Sequence, residues 1–200
     1  MSGVGLGTDN MRRAGDRRAA LLDQLEAIFF ADGVDSVSVD ALAQRLKCSK
    51  RDLYQIGASK RDMALAVIAR WSERIAQAAT VAMQSADPET QLSAYLTPGV
   101  VESRAISRQF LRDIAGQPAL DAALRTHQRK RIAGLAEILS AGVEAGVYRP
   151  VNVELVAALC IGAIDRLDDP AILEASGTDF GAAFETFYGL LMNGLRRTPA

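Results

Sequence analysis

Apolar residues in this 200-residue chain recur three and four positions apart from one end to the other, and the alternation of a half-buried strand is nearly absent. Leu21, Leu25, Ile28 and Phe29 make one such stripe, and Met63, Val67, Trp71, Ile75 and Ala79 make another that steps by four. Val39, Leu42, Ala43 and Leu46 mark a short helix after Ser38, whose hydroxyl suits an N-cap. Further stripes run through Ile106, Phe110 and Ile114, through Val156, Cys160, Ala163 and Leu167, and from Phe180 to Leu195. Glycine and proline supply the stops at Asp32-Gly33, Gly57, Asp87-Pro88, Thr97-Pro98-Gly99, Gly116-Gln117-Pro118 and Gly146. The pattern predicts an all-α chain of about nine helices. The later ones fall at 89–96, 101–115, 119–145, 152–167 and 180–197, with a weakly patterned stretch between Asp168 and Gly177.

Composition excludes several classes. At 49% hydrophobic and 24% charged, the chain is neither disordered nor collagen-like nor a coiled coil. No charge-free run approaches the roughly 20 apolar residues of a membrane span, so no membrane partner is expected. Met1 to Asp9 has neither the basic nor the apolar region of a secretory signal, and the expected location is the cytoplasm. Gly3 to Gly7 is glycine-rich, but no strand precedes it, and it reads as flexible leader rather than phosphate loop. Cys48 and Cys160 read as free thiols, and with the single His127 they cannot build a common zinc site. There is no HExxH, Walker A or GxSxG pattern, so neither metal, cofactor nor catalytic residues are expected.

The placement of charge says more than its sum of -1. Residues 1–62 carry ten Lys/Arg against nine Asp/Glu, and the remainder carries thirteen against fifteen. The domain division expected is a basic leader over 1–14, a three-helix unit over 15–61 and a helical domain over 62–200. In the three-helix unit only Lys47-Cys48-Ser49 joins the second helix to the third, the size of a helix-turn-helix. Ser-Lys-Arg-Asp occurs at 49–52 and again at 59–62, each time where a helix begins. Ser followed by Asp three residues later resembles a capping box. The cations between them oppose the helix dipole but suit a nearby phosphate, which marks Lys50, Arg51, Lys60 and Arg61.

Phe29-Phe30-Ala31-Asp32-Gly33, followed by Ser38-Val39, Leu42-Ala43, Leu46, Ser49, Leu53-Tyr54 and Ser59-Lys60, resembles the DNA-binding domain of the tetracycline-repressor (TetR) family over about 45 residues. Glu144 to Tyr148, Ala157 to Leu159 and Gly162 to Ile164 also look like that family's regulatory domain. The resemblance implies a recognition helix from Ser49 to Tyr54 and DNA contacts from Ser38, Lys47, Ser49, Lys50, Arg51, Tyr54 and Lys60. Ser38 and Lys60 match phosphate contacts, and Tyr54 matches an aromatic with its ring packed inward. Arg12, Arg13, Arg17 and Arg18 could reach a minor groove or stay solvated. The chain departs from the family at the turn glycine, here Lys47, at a usual aromatic, here Gly57, and at a small hydroxyl, here Asp52. A free acid at Asp52 would repel phosphate unless it met a cytosine amino group.

The helical half reads as a sensor. His127 and Arg131 interrupt an apolar face shared with Leu120, Leu124, Leu135 and Ile138. Buried charges are rare unless paired, which leaves two readings: an ion pair such as Arg131 with Asp113, or polar anchors in a ligand pocket for an acidic or carbonyl compound. Trp71, Tyr95, Phe110, His127, Arg131, Leu135 and Ile138 are the candidate pocket residues. A thiol beside Lys47 and Lys50 makes Cys48 a candidate for a lowered pKa. The resemblance implies a homodimer through helices at 152–167 and 179–197, with Val156, Cys160, Ala163, Phe184, Phe187, Tyr188 and Leu191 at the interface. The function expected is a repressor binding an inverted-repeat operator in double-stranded DNA, released by a small-molecule effector. The alternatives are a helical adaptor that has lost DNA binding and an all-helical enzyme using His127 with Asp113 or Glu137.

Overall fold

The computed structural model describes residues 5–84 and 87–196. Residues 3 and 4 of the glycine-rich start, and residue 197 of the last expected helix, lie outside that range, as does the side chain of Arg13. The described residues form ten helices: α1 Gly5–Asp32, α2 Val39–Arg45, α3 Lys50–Tyr54, α4 Lys60–Ala82, α5 Pro88–Ser103, α6 Arg108–Ala115, α7 Pro118–Glu144, α8 Val153–Leu167, α9 Pro170–Ala175 and α10 Phe180–Leu195. The only β pairing among the described residues is an isolated bridge between Tyr148 and Arg196. None of the described helices is long and apolar enough to cross a membrane.

Helix starts are written locally. The side chains of Ser38, Ser49, Ser59, Asp87, Ser107, Asn152, Asp169 and Asp179 each accept a hydrogen bond from the first turn they cap. Asp169, with Pro170 in the first turn, starts a helix in the stretch expected to be weakly patterned, which accounts for the tenth. Two further boundaries differ from expectation. Helix α5 does not stop at Thr97-Pro98-Gly99 but runs through Pro98 to Ser103, and the next begins only at Arg108. Packing of α5 against α4, α7 and α10 outweighs the roughly 3 kcal/mol penalty of an interior proline. Residues 5–14, expected as an irregular leader, are the first turns of α1.

Helix α4 is the spine. It packs on α1 to one side and on α5 and α7 to the other, while α8 and α10 close over α7 and α5. Its stripe Met63, Val67, Trp71, Ile75 and Ala79 is buried throughout. Trp71 meets the edge of Phe30 at 6.1 Å, and Phe30 packs on Phe110 at 4.8 Å, so one aromatic row joins α4, α1 and α6. Polar clamps reinforce the same joint. Arg74 of α4 pairs with Glu26 of α1 at 2.7 Å and Glu102 of α5 at 2.6 Å, which holds its guanidinium even more firmly protonated. Arg70 pairs with Asp23.

A second joint ties α6 to the loop after α1. The amide of Ser107 donates to the Phe30 carbonyl at 2.8 Å. Buried Asp113 accepts from the amide of Asp35 at 2.9 Å and from Gln109 Nε2 at 2.7 Å. Gly33 is required here twice over: its φ is 89°, and a Cβ would lie 2.5 Å from Asp113 Oδ2. Asp113 is therefore not the partner of Arg131 that sequence reasoning allowed.

Candidate nucleic-acid interface and ligand cavity

Helices α2 and α3 meet through a turn in which Lys47 adopts φ 50°, the left-handed region that usually demands glycine. The chain thus keeps the turn geometry without the residue that makes it easy. Lys47→Gly should raise stability by about 0.5–1 kcal/mol in chemical denaturation, because a strained backbone is relieved at an exposed site. No gain would show that the Lys47 side chain stabilises the turn by as much as its backbone costs.

Ser49 and Asp52 close a complete capping box: Asp52 N donates to Ser49 Oγ at 3.1 Å, and Ser49 N and Oγ donate to Asp52 Oδ2 at 3.0 and 2.8 Å. Arg17 of α1 adds an ion pair to the same oxygen at 3.3 Å. These partners push the Asp52 carboxyl below its ordinary pKa, the Ser49 bonds first and Arg17 after them. Asp52 is thus a structural cap rather than a free acid facing a duplex, and Arg17 is drawn onto α3.

The two other departures also have structural reasons. A Cβ at Gly57 would sit 2.5 Å from the Met63 amide and 2.6 Å from the Asp62 carbonyl carbon, so the chain passes the start of α4 too closely for any side chain. Ile56 beside it is buried in the core, as is Leu53. Tyr54 differs from expectation: its ring is 50% exposed rather than packed inward.

Ser38, Lys47, Ser49, Lys50, Arg51 and Tyr54 all lie on the exposed surface of this three-helix unit, and Lys60 is half-buried beside them. Their partners set them apart. Lys50 Nζ is in close contact with Asp40, which pushes its pKa up. Lys60 Nζ donates to the carbonyls of Asp35 and Val37 at 3.3 and 3.0 Å. The guanidinium of Arg51 forms no ion pair or hydrogen bond among the described residues, and it stands in the first turn of α3.

The candidate pocket residues divide. Trp71, His127 and Arg131 line an inner cavity of about 30 Å³ between α4, α5, α7, α8 and α10. Tyr95 lies under Arg131: its ring centroid is 4.1 Å from the guanidinium carbon, and its carbonyl accepts from Arg131 Nη2 at 2.6 Å. Phe110 instead packs on Phe30, and Leu135 and Ile138 are buried core residues lining neither this cavity nor the groove outside it. Sequence reasoning missed Gln128, Ser103, Phe180 and Tyr188, because helix phase alone does not say which stripes of α5, α7 and α10 converge.

His127 packs on Trp71 with centroids 4.7 Å apart. Burial, aided by the charges of Arg131 and Lys130, pushes its pKa down to about 4, so the ring is neutral at pH 7. Outside it, α4, α5 and α7 bound an open groove of about 1080 Å³ that His127 and Arg131 also line. Neither cysteine is poised for redox chemistry. Burial and Asp52 raise the Cys48 thiol rather than lower it, and burial pushes Cys160 up to about 11.

The outer face of α8 and α10 also corrects the expected interface. Cys160, Phe184 and Tyr188 are buried within the subunit, while Val156, Ala163, Phe187 and Leu191 are half-buried. The side chains that stand out are Leu155 at 58%, Leu159 at 64% and Leu190 at 70% exposed. Between them Gly162, Gly189 and Gly194 have open space where a Cβ would point.

No protein-family model matches the sequence, and no curated protein matches it. Solved structures do match, over nearly the whole chain. The TetR family transcriptional regulator PfmR of Thermus thermophilus superposes with a TM-score of 0.63 at 23% identity, covering 88% of this chain and 99% of its own. A putative transcriptional regulator of Saccharomonospora viridis in complex with choline gives 0.70 at 13% identity, covering 92% and 100%. The regulator FadR of Bacillus subtilis in complex with stearoyl-CoA gives 0.62 at 15%, covering 88% and 98%. The chain has the fold of TetR-family transcriptional regulators.

Proposed function

We propose that the protein is a homodimeric transcriptional repressor whose hold on an inverted-repeat operator is loosened by a small molecule bound between α4 and α7. The observation that carries the reading is α3: a capped helix presenting Arg51, Lys50 and Tyr54 outward, joined through one continuous α4 to a domain with a polar cavity. From Lys60 to Trp71 is eleven residues, or about 16 Å of helix. One end of α4 holds the loop before α2 through Lys60, and the cavity wall lies at the other end of that span. A ligand that favours a different tilt of α4 moves α3 and, by linkage, binds less well when DNA is bound. Choline and stearoyl-CoA in the neighbouring structures support a small-molecule effector for this architecture.

Selection of duplexes from a random pool tests the reader. Wild-type protein should enrich an inverted repeat, and Tyr54→Ala and Lys60→Ala should lose it. Absence of enrichment at low salt, where phosphate contacts are strongest, would leave a helical adaptor.

The second copy is expected on Leu155, Leu159 and Leu190, because the glycines between them allow close helix approach. Leu190→Arg should convert dimer to monomer in sedimentation equilibrium while leaving the helical circular dichroism unchanged. A dimer that survives this change would place the interface elsewhere.

A further inference from the structure

Among the described residues, three buried side-chain polar atoms lack a hydrogen-bond partner: Trp71 Nε1, Gln128 Oε1 and Arg131 Nη1. All three residues line the one inner cavity, whose other walls include Ile75, Leu124 and Phe184. Orphaned buried polar atoms are few in folded proteins, and each raises the free energy of the empty state. Three of them around one void define a site that lacks its occupant.

The atoms also specify what that occupant is. Arg131 is 8% exposed and makes no ion pair among the described residues. Its contacts are the Tyr95 carbonyl and ring, both neutral. The Tyr188 phenol lies beside the guanidinium without completing a bond to Nη1, and burial pushes its pKa up to about 12, so it too is neutral. Asp113 is engaged at the α6 joint, and Glu137 faces the outer groove without pairing with Arg131. A buried cation without a counter-charge is among the costliest groups a core can hold. Nη1 and the indole N–H are both donors and call for an anionic acceptor. Gln128 asks for the reverse. Its Nε2 donates to Asp168 Oδ2 at 3.2 Å, which turns Oε1 to the cavity as an acceptor in need of a donor.

We infer that this cavity is the head-group site of the sensor domain and binds a carboxylate that carries a hydroxyl beside it, with the carboxylate on Arg131 and Trp71 and the hydroxyl on Gln128. About 30 Å³ has room for a head group of this size and little else, so the remainder of a larger ligand runs past His127 and Arg131 into the outer groove. The neutral His127 ring is the doorway between the two spaces, since both are lined by it. A quaternary ammonium is excluded by the guanidinium.

This inference rests on reading residues 62–200 as a ligand-binding domain, and its test is independent of DNA. Trp71 is the only tryptophan, and its indole lines the site, so its emission reports occupancy directly. Glycolate added to the full-length protein should change that emission saturably, at least about tenfold more tightly than glycolamide or choline. Arg131→Met should abolish the response and raise the melting temperature of the free protein, because the unpaired charge is gone. Arg131→Lys, which keeps the charge but not the second N–H, should bind more weakly than wild type. Gln128→Met should remove the preference for glycolate over acetate. The inference is overturned if neither formate, acetate, glycolate nor longer 2-hydroxy acids give a saturable change, or if Arg131→Met responds like wild type. Selective duplex binding with no carboxylate response would overturn this site and leave the DNA reader standing. Carboxylate binding with unchanged duplex affinity would uphold the site and remove its regulatory role.

Discussion

Arg51→Glu should reduce operator affinity by about a hundredfold or more, a larger loss than Lys50→Ala causes. The two residues are neighbours in sequence but not equivalent in structure. Lys50 already sits on Asp40, so a phosphate or base must displace that carboxylate before the lysine contributes. Arg51 has no competing partner among the described residues and stands at the exposed start of α3, where its charge is fully available. The substitution should not harm the fold, since an acid in the first turn of a helix interacts favourably with its dipole. Fluorescence anisotropy with the selected duplex at several salt concentrations would measure the effect, and the slope of log affinity against log salt should become shallower. If Lys50→Ala proves the more damaging, the Lys50–Asp40 contact opens at no cost and α3 docks by its other edge.

Between about pH 6.5 and pH 4 the protein should lose about 3 kcal/mol of stability through His127 alone. The folded-state pKa, about 4, lies below the unfolded value near 6.5. In that window the unfolded chain binds the proton and the folded chain does not, so stability falls as pH falls. The contribution is fully present above the unfolded pKa and is lost once pH has passed through the folded one. The cause is local: the ring lies against Trp71, with Arg131 and Lys130 both opposing a second positive charge. Urea denaturation of wild type and His127→Gln across this range separates the histidine from the carboxylates that titrate alongside it. Parallel curves for the two proteins would show that the ring is solvated at low pH and that the cavity wall opens.

The two effects concern opposite ends of α4, and the structure joins them by more than that helix. Asp113 holds the Asp35 amide, Gln117 at the start of α7 donates to the Asp35 carboxylate at 3.2 Å, and Lys60 grips the carbonyls of the same loop. Each of these residues is polar, and their partners lie 23 to 82 positions away. No local pattern announces such a joint. It becomes visible only when α6, α7 and the loop after α1 are brought together.

Much of the molecule was nevertheless legible in one dimension. Serine, aspartate and asparagine caps, the four-step stripes and the short turn at Lys47 are local devices, and they sufficed for the helices, the helix-turn-helix and the buried faces of α4 and α7. The same locality explains the errors. Pro98 reads as a stop, but the free energy of packing α5 on three neighbours outweighs it. Asp52 reads as a repulsive acid, but the capping box and Arg17 engage it. Helix phase marked Trp71, His127 and Arg131 as unusual, yet it could not distinguish an ion pair from a cavity, because the answer depends on whether a carboxylate from another helix reaches Arg131. Burial, pairing and orphaned polar atoms are properties of relative helix placement, set by side-chain volume and hydrogen-bond geometry across the core. Sequence alone determined which helices form and which faces they bury; the tertiary structure decided that Arg131, Gln128 and Trp71 share an empty space with no counter-charge in it.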